Sequence, residues 1–257
     1  MKINGTGVNV MEGRSHAVST PRPAWGSRIV LVCALLWGLS ACQTSPPQPP
    51  APAPAPQPST GVQPIPAGAR EFKVSPDESL LQILVYRGGA MSRLGHNHVI
   101  ASHQLSGSVY MTGDPLATRF DISVPVNELT VDEPALREAA GADFPPAVPQ
   151  SARDGTRTNL LSPALLDGAN YPSIRLRATD IKAVDAGFDA GVELTLKGTA
   201  HQLRVPVQLE RRDGGIVARG EFPLRQSELG LKPFSVAMGT LVVLDEMHIR
   251  FEITARQ

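Results

Sequence analysis

The C-terminal stretch LVVLDEMHIRFEITA, residues 241–255, separates an apolar face from a charged one. Successive side chains of a β-strand point to opposite faces, so alternate residues share a side. His248, Arg250 and Glu252 fall on one side. The other side carries the apolar residues Leu241, Val243, Met247, Ile249, Phe251 and Ile253. The stretch therefore predicts a strand with an apolar interior on one face and water on the other.

Four further stretches show the same alternation. Their apolar members are Phe120, Ile122, Val124 and Val126; Ile174, Leu176 and Ala178; Val192, Leu194 and Leu196; and Leu203, Val205, Val207 and Leu209. Several half-apolar strands in succession favour an antiparallel sheet that forms a barrel or a sandwich. Asp213-Gly214-Gly215 predicts a hairpin turn. Pro206 predicts a sheet edge or a bulge, because proline lacks the N–H that a ladder needs.

Two segments break the alternation and predict short helices, over Asp132 to Gly141 and over Thr158 to Gly168. The second contains an N-cap-like serine followed by proline at Ser162-Pro163. The two segments flank a proline-rich loop from Phe144 to Pro149. Long insertions between strands often cover the mouth of a barrel.

Residues 1–41 predict a lipoprotein signal peptide. Positive charge comes first, at Arg14, Arg22 and Arg28, and the apolar run of residues 29–39 is too short to span a bilayer. Leu39-Ser40-Ala41-Cys42 resembles the lipobox of bacterial lipoproteins, in which the cysteine is acylated and becomes the new N-terminus. The resemblance implies lipidation at Cys42. An ordinary secretory signal with an incidental cysteine is the alternative.

The start of the chain leaves one choice open, since either Met1 or Met11 can be the initiator. Gln43 follows the cysteine, and by resemblance to Gram-negative sorting rules this residue favours the outer membrane. We therefore expect a lipid-anchored protein of the bacterial cell envelope that faces the periplasm.

Residues 42–70 predict a linker. Pro, Ala and Gln dominate the sequence from Ser45 to Pro66, a composition that buries too little apolar surface to fold and favours an extended chain. Of the 24 basic and 24 acidic residues, four and one precede Cys42, which leaves 20 basic and 23 acidic residues. No basic run stands out, so we expect no nucleic acid partner.

Several short motifs within residues 71–257 resemble the YceI-like polyisoprenoid-binding family. They are LTLKGT at 194–199 followed by Val205-Pro206-Val207, Tyr171-Pro172-Ser173-Ile174, FPLRQSELG at 222–230, and the strand from Asp245 to Ile253. The resemblance spans the stretch from Phe72 to Ala255. It implies an all-β, extended antiparallel lipocalin-like barrel, with one or two short helices in inserted loops, whose apolar tunnel holds an isoprenoid or other long chain. An eight-stranded barrel can enclose one such ligand.

The chain departs from the family's pattern at Thr199-Ala200-His201 and at Gly95-His96-Asn97-His98, which leaves the ligand's identity open. Nine alternate residues are predicted to face the interior and contact the lipid: Phe120, Ile122, Ile174, Leu176, Leu194, Leu196, Met247, Ile249 and Phe251. Packing in a filled core is the alternative at each position.

Two histidines suggest a second kind of site. His96 and His98 are two residues apart, so in an extended strand both rings point the same way, a spacing that suits zinc or copper. His103 would face the other side, His201 would lie in a turn, and His248 belongs to the charged face. A structural role, or contact with a polar lipid head group, is therefore the alternative to a metal site.

The sequence contains no Gly-x-Ser-x-Gly elbow, no phosphate-binding glycine loop and no His-Glu-x-x-His motif. We therefore expect a non-enzymatic envelope lipoprotein that binds or carries an apolar lipid, with no cofactor beyond a bound polyisoprenoid or other lipid. The alternatives are a metal-binding or enzymatic protein that uses His96 and His98, and a periplasmic protein-interaction module.

Overall fold

A computed structural model describes residues 64–257 of the chain. The predicted signal peptide, the predicted lipidation site Cys42 and the linker as far as residue 63 lie outside the described residues. None of the helices in residues 64–257 has the length and apolar character needed to cross a membrane.

Residues 64–257 contain twelve β-strands and two α-helices. The strands are β1 (Arg70–Val74), β2 (Leu80–Gly88), β3 (His98–Ser102), β4 (Ser106–Met111), β5 (Arg119–Pro125), β6 (Thr130–Val131), β7 (Ser173–Val184), β8 (Gly187–Leu196), β9 (Thr199–Arg212), β10 (Gly215–Arg225), β11 (Ser235–Val236) and β12 (Leu241–Arg256). The helices are α1 (Pro134–Ala140) and α2 (Gln150–Leu161).

The strands form one antiparallel sheet that closes on itself. β12 pairs with both β1 and β2. On one side, β1 pairs with β4 and β4 pairs with β5. On the other side, β2 pairs with β3 and β3 pairs with β6. Three of the barrel's strands are therefore interrupted ones, made of β1 with β2, β3 with β4 and β5 with β6. β7, β8, β9, β10 and β12 follow in order. Residues 64–257 thus form an eight-stranded up-and-down barrel, which confirms the predicted all-β, lipocalin-like fold with two short helices.

β12 closes the barrel and has the two faces that its sequence predicts. It pairs with β10 along one side and with β2 and then β1 along the other. Met247 and Ile249 are buried in the main apolar cluster. Arg250, on the opposite face, is partly exposed, and its Nε lies 2.9 Å from Glu221 Oε1.

Two tight turns set the register of β8, β9 and β10. Asp213-Gly214 joins β9 to β10, which confirms the predicted hairpin. Lys197 and Gly198 join β8 to β9, and both have positive φ, 49° and 75°, as a two-residue hairpin turn requires. Because the chain reverses there, His201 lies within β9 opposite Leu194. The prediction that His201 lies in a turn was wrong.

Pro206 lies inside β9, opposite Asp189 of β8. The pairing of β9 with β10 extends from the hairpin only as far as Gln208. A proline has no N–H to contribute to a second ladder, so the β9–β10 ladder ends beside it. Pro206 therefore marks an irregularity in the sheet, as predicted, although it is not on an outer edge.

The helices confirm one sequence prediction and correct another. α1 falls inside the predicted segment from Asp132 to Gly141. α2 begins at Gln150, ahead of the predicted start at Thr158, and ends just before Ser162-Pro163. The residue before a proline disfavours the α conformation, and Ser162 is extended, with ψ 160°. Pro163 therefore ends the helix that we expected it to begin, and Pro149 precedes the first helical residue instead.

Candidate functional site

A cavity of about 390 Å³ lies inside the barrel. Its lining extends from Met111, Ile216 and Ala255 near one end to His96 and Leu241 near the other. The lining includes all nine residues predicted to face the interior: Phe120, Ile122, Ile174, Leu176, Leu194, Leu196, Met247, Ile249 and Phe251. Their inward direction is a finding, and contact with a lipid stays a prediction.

The exposure of these side chains shows that the interior is not completely filled. Ile122, Leu194 and Ile249 are buried. Phe120 and Phe251 face the same interior but keep part of their surface accessible, although they pack against the buried clusters. A close-packed core leaves few voids larger than a water molecule. Inward-facing apolar residues that retain accessible surface therefore border an empty apolar space.

Polar side chains of the lining are concentrated at one end of the cavity. Arg87 comes from the end of β2, His96 from the loop before β3, His98 from the start of β3, and Thr156 and Asn159 from α2. Gln226 follows β10 at the same end, whereas Thr118, just before β5, lines the opposite end. The cavity thus has a long apolar part and one polar end, the distribution of groups that suits an amphiphile with a small polar head.

His98 has a hydrogen-bond partner at each ring nitrogen. Its Nδ1 lies 2.6 Å from Asp132 Oδ2, and its Nε2 lies 3.2 Å from the Thr156 hydroxyl. An ionised carboxylate only accepts hydrogen bonds, so Nδ1 carries the proton that Asp132 accepts. In the neutral imidazole, Nε2 is then an acceptor, available to the Thr156 hydroxyl or to a donor on a ligand.

Asp132 is fully buried and ionised. Burial by itself raises the pKa of this carboxyl, but hydrogen bonds from His98 and from the Val99 N–H outweigh that effect and hold its pKa below the ordinary value. Arg137 adds a hydrogen bond, with Nη1 at 2.5 Å from Asp132 Oδ1. Asp132 therefore fixes both the orientation and the tautomer of His98.

Arg137 is also fully buried and connects α1 to the neighbouring loops. Its Nη1 donates to the Asn97 carbonyl at 2.6 Å, and its Nε donates to the Pro145 carbonyl at 2.8 Å. Its guanidinium carbon lies 5.8 Å from the centre of the Phe144 ring. No sequence pattern marked Asp132 or Arg137 as part of the site. The one available signal was a pair of charged residues beside Pro134, at the start of a predicted helix that flanks the barrel mouth.

The histidine pair is close together, but not for the predicted reason. β3 begins at His98, so His96 lies in the preceding loop and the expected shared strand face does not exist. The two ring centres are nevertheless 6.1 Å apart, and both side chains line the cavity. Desolvation is the largest cause that lowers the pKa of His96, and the electrostatic effect of the neighbouring His98 lowers it further. Within residues 64–257 no three His, Cys, Asp or Glu side chains are grouped to hold a metal ion.

The other histidines lie away from the cavity lining. His248 projects from the outer face of β12, as predicted, and its ring packs edge-on against Tyr86 at 5.7 Å. His103 follows β3, and its Nε2 lies 3.0 Å from Glu133 Oε1. The polar end of the cavity is therefore built around His96 and His98 alone among the histidines of residues 64–257.

Comparisons with known proteins concern the fold and the family. The crystal structure of Burkholderia cenocepacia BcnA superposes with a TM-score of 0.51 at 15% identity, over 71% of this chain and 99% of that chain. A Campylobacter jejuni YceI protein that crystallises with large solvent channels superposes with a TM-score of 0.40 at 10% identity, over 60% of this chain and 81% of that chain. The search of curated proteins returned no match. The sequence profile of the YceI-like domain matches residues 72–255, which is most of the chain, and the chain therefore belongs to the YceI-like domain family.

Proposed function

We propose that this protein is an envelope lipoprotein whose barrel binds or carries an apolar lipid of isoprenoid or other long-chain type. The observation that supports the proposal most is the cavity, a largely apolar space of about 390 Å³ with polar side chains concentrated at one end. Pockets for small molecules typically measure about 300–1,000 Å³. The cavity is therefore large enough for a substantial length of hydrocarbon.

The polar end gives the proposed ligand a direction. A head group would lie beside His98, Thr156 and Asn159, and the hydrocarbon would extend towards Met111 and Ile216 at the far end. His98 Nε2 would accept a hydrogen bond from a hydroxyl on the head, because Asp132 already accepts from Nδ1. Hydroxyl, amide and imidazole groups at this end can satisfy a small polar head, whereas the rest of the cavity wall is apolar apart from Thr118.

The leader supports anchoring by lipid at Cys42 and a position in the outer membrane that faces the periplasm. We propose no catalytic step and no cofactor for the barrel. The polar end lacks the ligand set of a metal centre, because among the residues that the structure describes no three His, Cys, Asp or Glu side chains are grouped to hold an ion. A structural and ligand-binding role for His96 and His98 is therefore the one we favour.

The test of lipid binding uses Ile249→Glu. Ile249 is buried, lines the cavity, and is paired with Ile83 of β2 and Phe222 of β10. A carboxylate there must remain hydrated or take up a proton, and both outcomes disfavour bound hydrocarbon. We expect the variant to retain fluorescent long-chain isoprenoid more than about tenfold less tightly than the wild type, a factor that corresponds to only about 1.4 kcal/mol.

Two controls separate ligand loss from general damage. Ile249→Met keeps an apolar side chain of similar size and should still bind the probe. Arg250→Gln changes the neighbouring residue on the outer face and should bind like the wild type. Protein purified from its native host should also release lipid into an organic extract, detected by mass spectrometry. If the extract contains no lipid and the probe binds neither wild type nor controls, the interior is a core and the proposal is wrong.

A further inference from the structure

Exposed apolar side chains gather around the polar end of the cavity. Residues 64–257 expose nine large apolar side chains, and two short segments, residues 91–94 and 234–244, contribute six of them: Met91, Leu94, Phe234, Val236, Met238 and Leu244. Met238 is completely exposed and has a positive φ of 54°. We call these two segments the mouth rim. Exposed apolar residues scattered singly need no explanation, but a cluster marks an interaction surface.

Backbone contacts join the two segments into one surface. The Met91 N–H donates to the Thr240 carbonyl at 2.8 Å, and the Thr240 hydroxyl lies 3.4 Å from the Met91 sulfur. β11 pairs with the start of β12, and the Val243 N–H donates to the Phe234 carbonyl at 2.9 Å. The side chains of the mouth rim are therefore held on a folded support.

The mouth rim is continuous with the wall of the cavity. Phe234, Leu241 and Val243 belong to the same segment as Met238 and Leu244, and all three line the cavity. Gly95, which directly follows Leu94, lines it as well. An apolar molecule that enters or leaves at this end would pass beside the exposed side chains of the mouth rim.

Three cationic residues lie within or beside the mouth rim, and the acidic residue Asp245 directly follows it. Residues 87–98 and 231–244 include Arg87, Arg93 and Lys232 but no Asp or Glu, although the whole chain has equal numbers of acidic and basic residues. All three cationic residues are exposed. Apolar side chains with cations beside them fit the interface of an anionic bilayer, because Lys and Arg near the surface are attracted to the acidic lipids. Two copies of the chain joined through this surface would set cations against cations.

We propose that the mouth rim docks on the surface of an anionic phospholipid bilayer. Leu94 and Met238 enter the boundary between head groups and acyl chains, while Arg93 and Lys232 contact the phosphates. The polar end of the cavity then opens towards the bilayer. Docking of this kind would supply the entry route for the ligand of the proposed function, but it needs no ligand inside the barrel and no acylated cysteine.

A fluorescent reporter can test the docking directly. The sequence has two tryptophans, Trp25 and Trp37. In the full chain with Cys42→Ala and both tryptophans changed to Phe, Met238→Trp places the only indole on the mouth rim. The matched control is Val184→Trp, because Val184 is also exposed and apolar but ends β7 at the opposite end of the barrel. Both proteins keep the same leader, so a difference between them reports on the mouth rim.

With vesicles of equimolar phosphatidylglycerol and phosphatidylcholine, we expect a blue shift of the Met238→Trp emission and quenching by lipids brominated on the acyl chains. The Val184→Trp emission should change little. Arg93→Glu combined with Lys232→Glu should weaken the vesicle response more than about tenfold. An unchanged Met238→Trp spectrum, or equal shifts for both reporters, would overturn the proposal. A shift that grows with protein concentration in the absence of vesicles would assign the surface to self-association instead.

The two proposals can fail separately. Vesicle docking is measured without a lipid in the cavity, and retention of the isoprenoid probe is measured without vesicles. A protein that docks but retains no probe would contradict only the proposed function. A protein that retains the probe but leaves the Met238→Trp emission unchanged would contradict only the docking.

Discussion

At the scale of single residues, the most consequential group is the buried carboxylate of Asp132. It accepts hydrogen bonds from His98, Val99 and Arg137, and these partners come from β3 and α1. A buried ion pair is strongly destabilised when one member is removed, because the other charge is left without compensation. Asp132 therefore orders the polar end of the cavity and stabilises the fold around it.

Asp132→Asn should lower the free energy of unfolding at neutral pH by about 3–5 kcal/mol, since the buried Arg137 loses its counter-charge. The folded state holds the pKa of Asp132 below 3.8, so the stabilisation is fully present above that pH and declines as pH falls through the folded-state pKa. Urea unfolding at a series of pH values should show the wild type and the variant converging only in strong acid.

The exposed turn residue Asp185 supplies the control for this measurement. Asp185→Asn should change the unfolding free energy by less than about 0.5 kcal/mol, as is usual for surface substitutions. If the Asp132→Asn difference stayed constant down to the lowest pH, ionisation of Asp132 would not be what stabilises the native state.

Sequence predicts inward-facing residues well and buried polar networks poorly, for physical reasons. The nine lining positions follow from the two-residue period of a strand, because a strand that is apolar at alternate residues buries the face that carries them. Asp132 reaches His98 across 34 residues of chain, from a position with φ 57° outside any regular element. Neither the hydrogen bond between Asp132 and His98 nor the positive φ of Asp132 produces a periodic pattern in the sequence.

At the scale of elements, strands were easier to predict than helices. A period of two repeats many times along β7 to β12, whereas α1 spans only seven residues and α2 twelve. Ser162-Pro163 satisfied the rule for a helix start, yet proline after an extended residue equally ends a helix. Short helices on a barrel are therefore located by their proline boundaries, and those boundaries are ambiguous.

Gly155 gives a test of α2 as an element. It lies in the interior of the helix, is exposed, and has open space where a Cβ would stand. Alanine costs about 0.5–1 kcal/mol less than glycine within a helix. Gly155→Ala should therefore raise the Tm by about 1–4 °C, measured by circular dichroism.

Gly107 provides the opposite case in a strand. It has φ 126°, and a Cβ there would collide with the Asp121 carbonyl of the neighbouring strand. Gly107→Ala should lower the Tm, because both the backbone conformation and the close approach require glycine. A Tm that falls for Gly155→Ala would show that residues 150–161 are not a regular helix in solution.

At the scale of the whole molecule, the proposed anchor and the proposed docking surface act on the membrane in different ways. Several acyl chains on one cysteine give stable attachment, whereas one chain gives only marginal binding. Docking through Arg93 and Lys232 depends on charge and weakens with salt. A high-salt wash therefore separates the two contributions.

Cys42→Ala should abolish labelling by palmitate and release the protein from membranes washed in high salt. Cys33→Ala is the matched control, because Cys33 lies within the predicted leader and should leave labelling and fractionation unchanged. Continued palmitate labelling of the Cys42→Ala variant would reject the lipobox interpretation of residues 39–42.

The position of β12 in the sequence also affects when the barrel can fold during synthesis. β12 is the last strand of residues 64–257 and supplies partners to β10, β2 and β1, including the pairing of Val74 with Ala255. A ribosome makes Val74 long before Ala255, and contacts so distant in sequence form slowly. Until the final 16-residue strand has emerged, the sheet has two open edges and no closed interior. This delay would suit the proposed envelope location, which requires the chain to cross a membrane before it folds, because β12 decides when folding can finish.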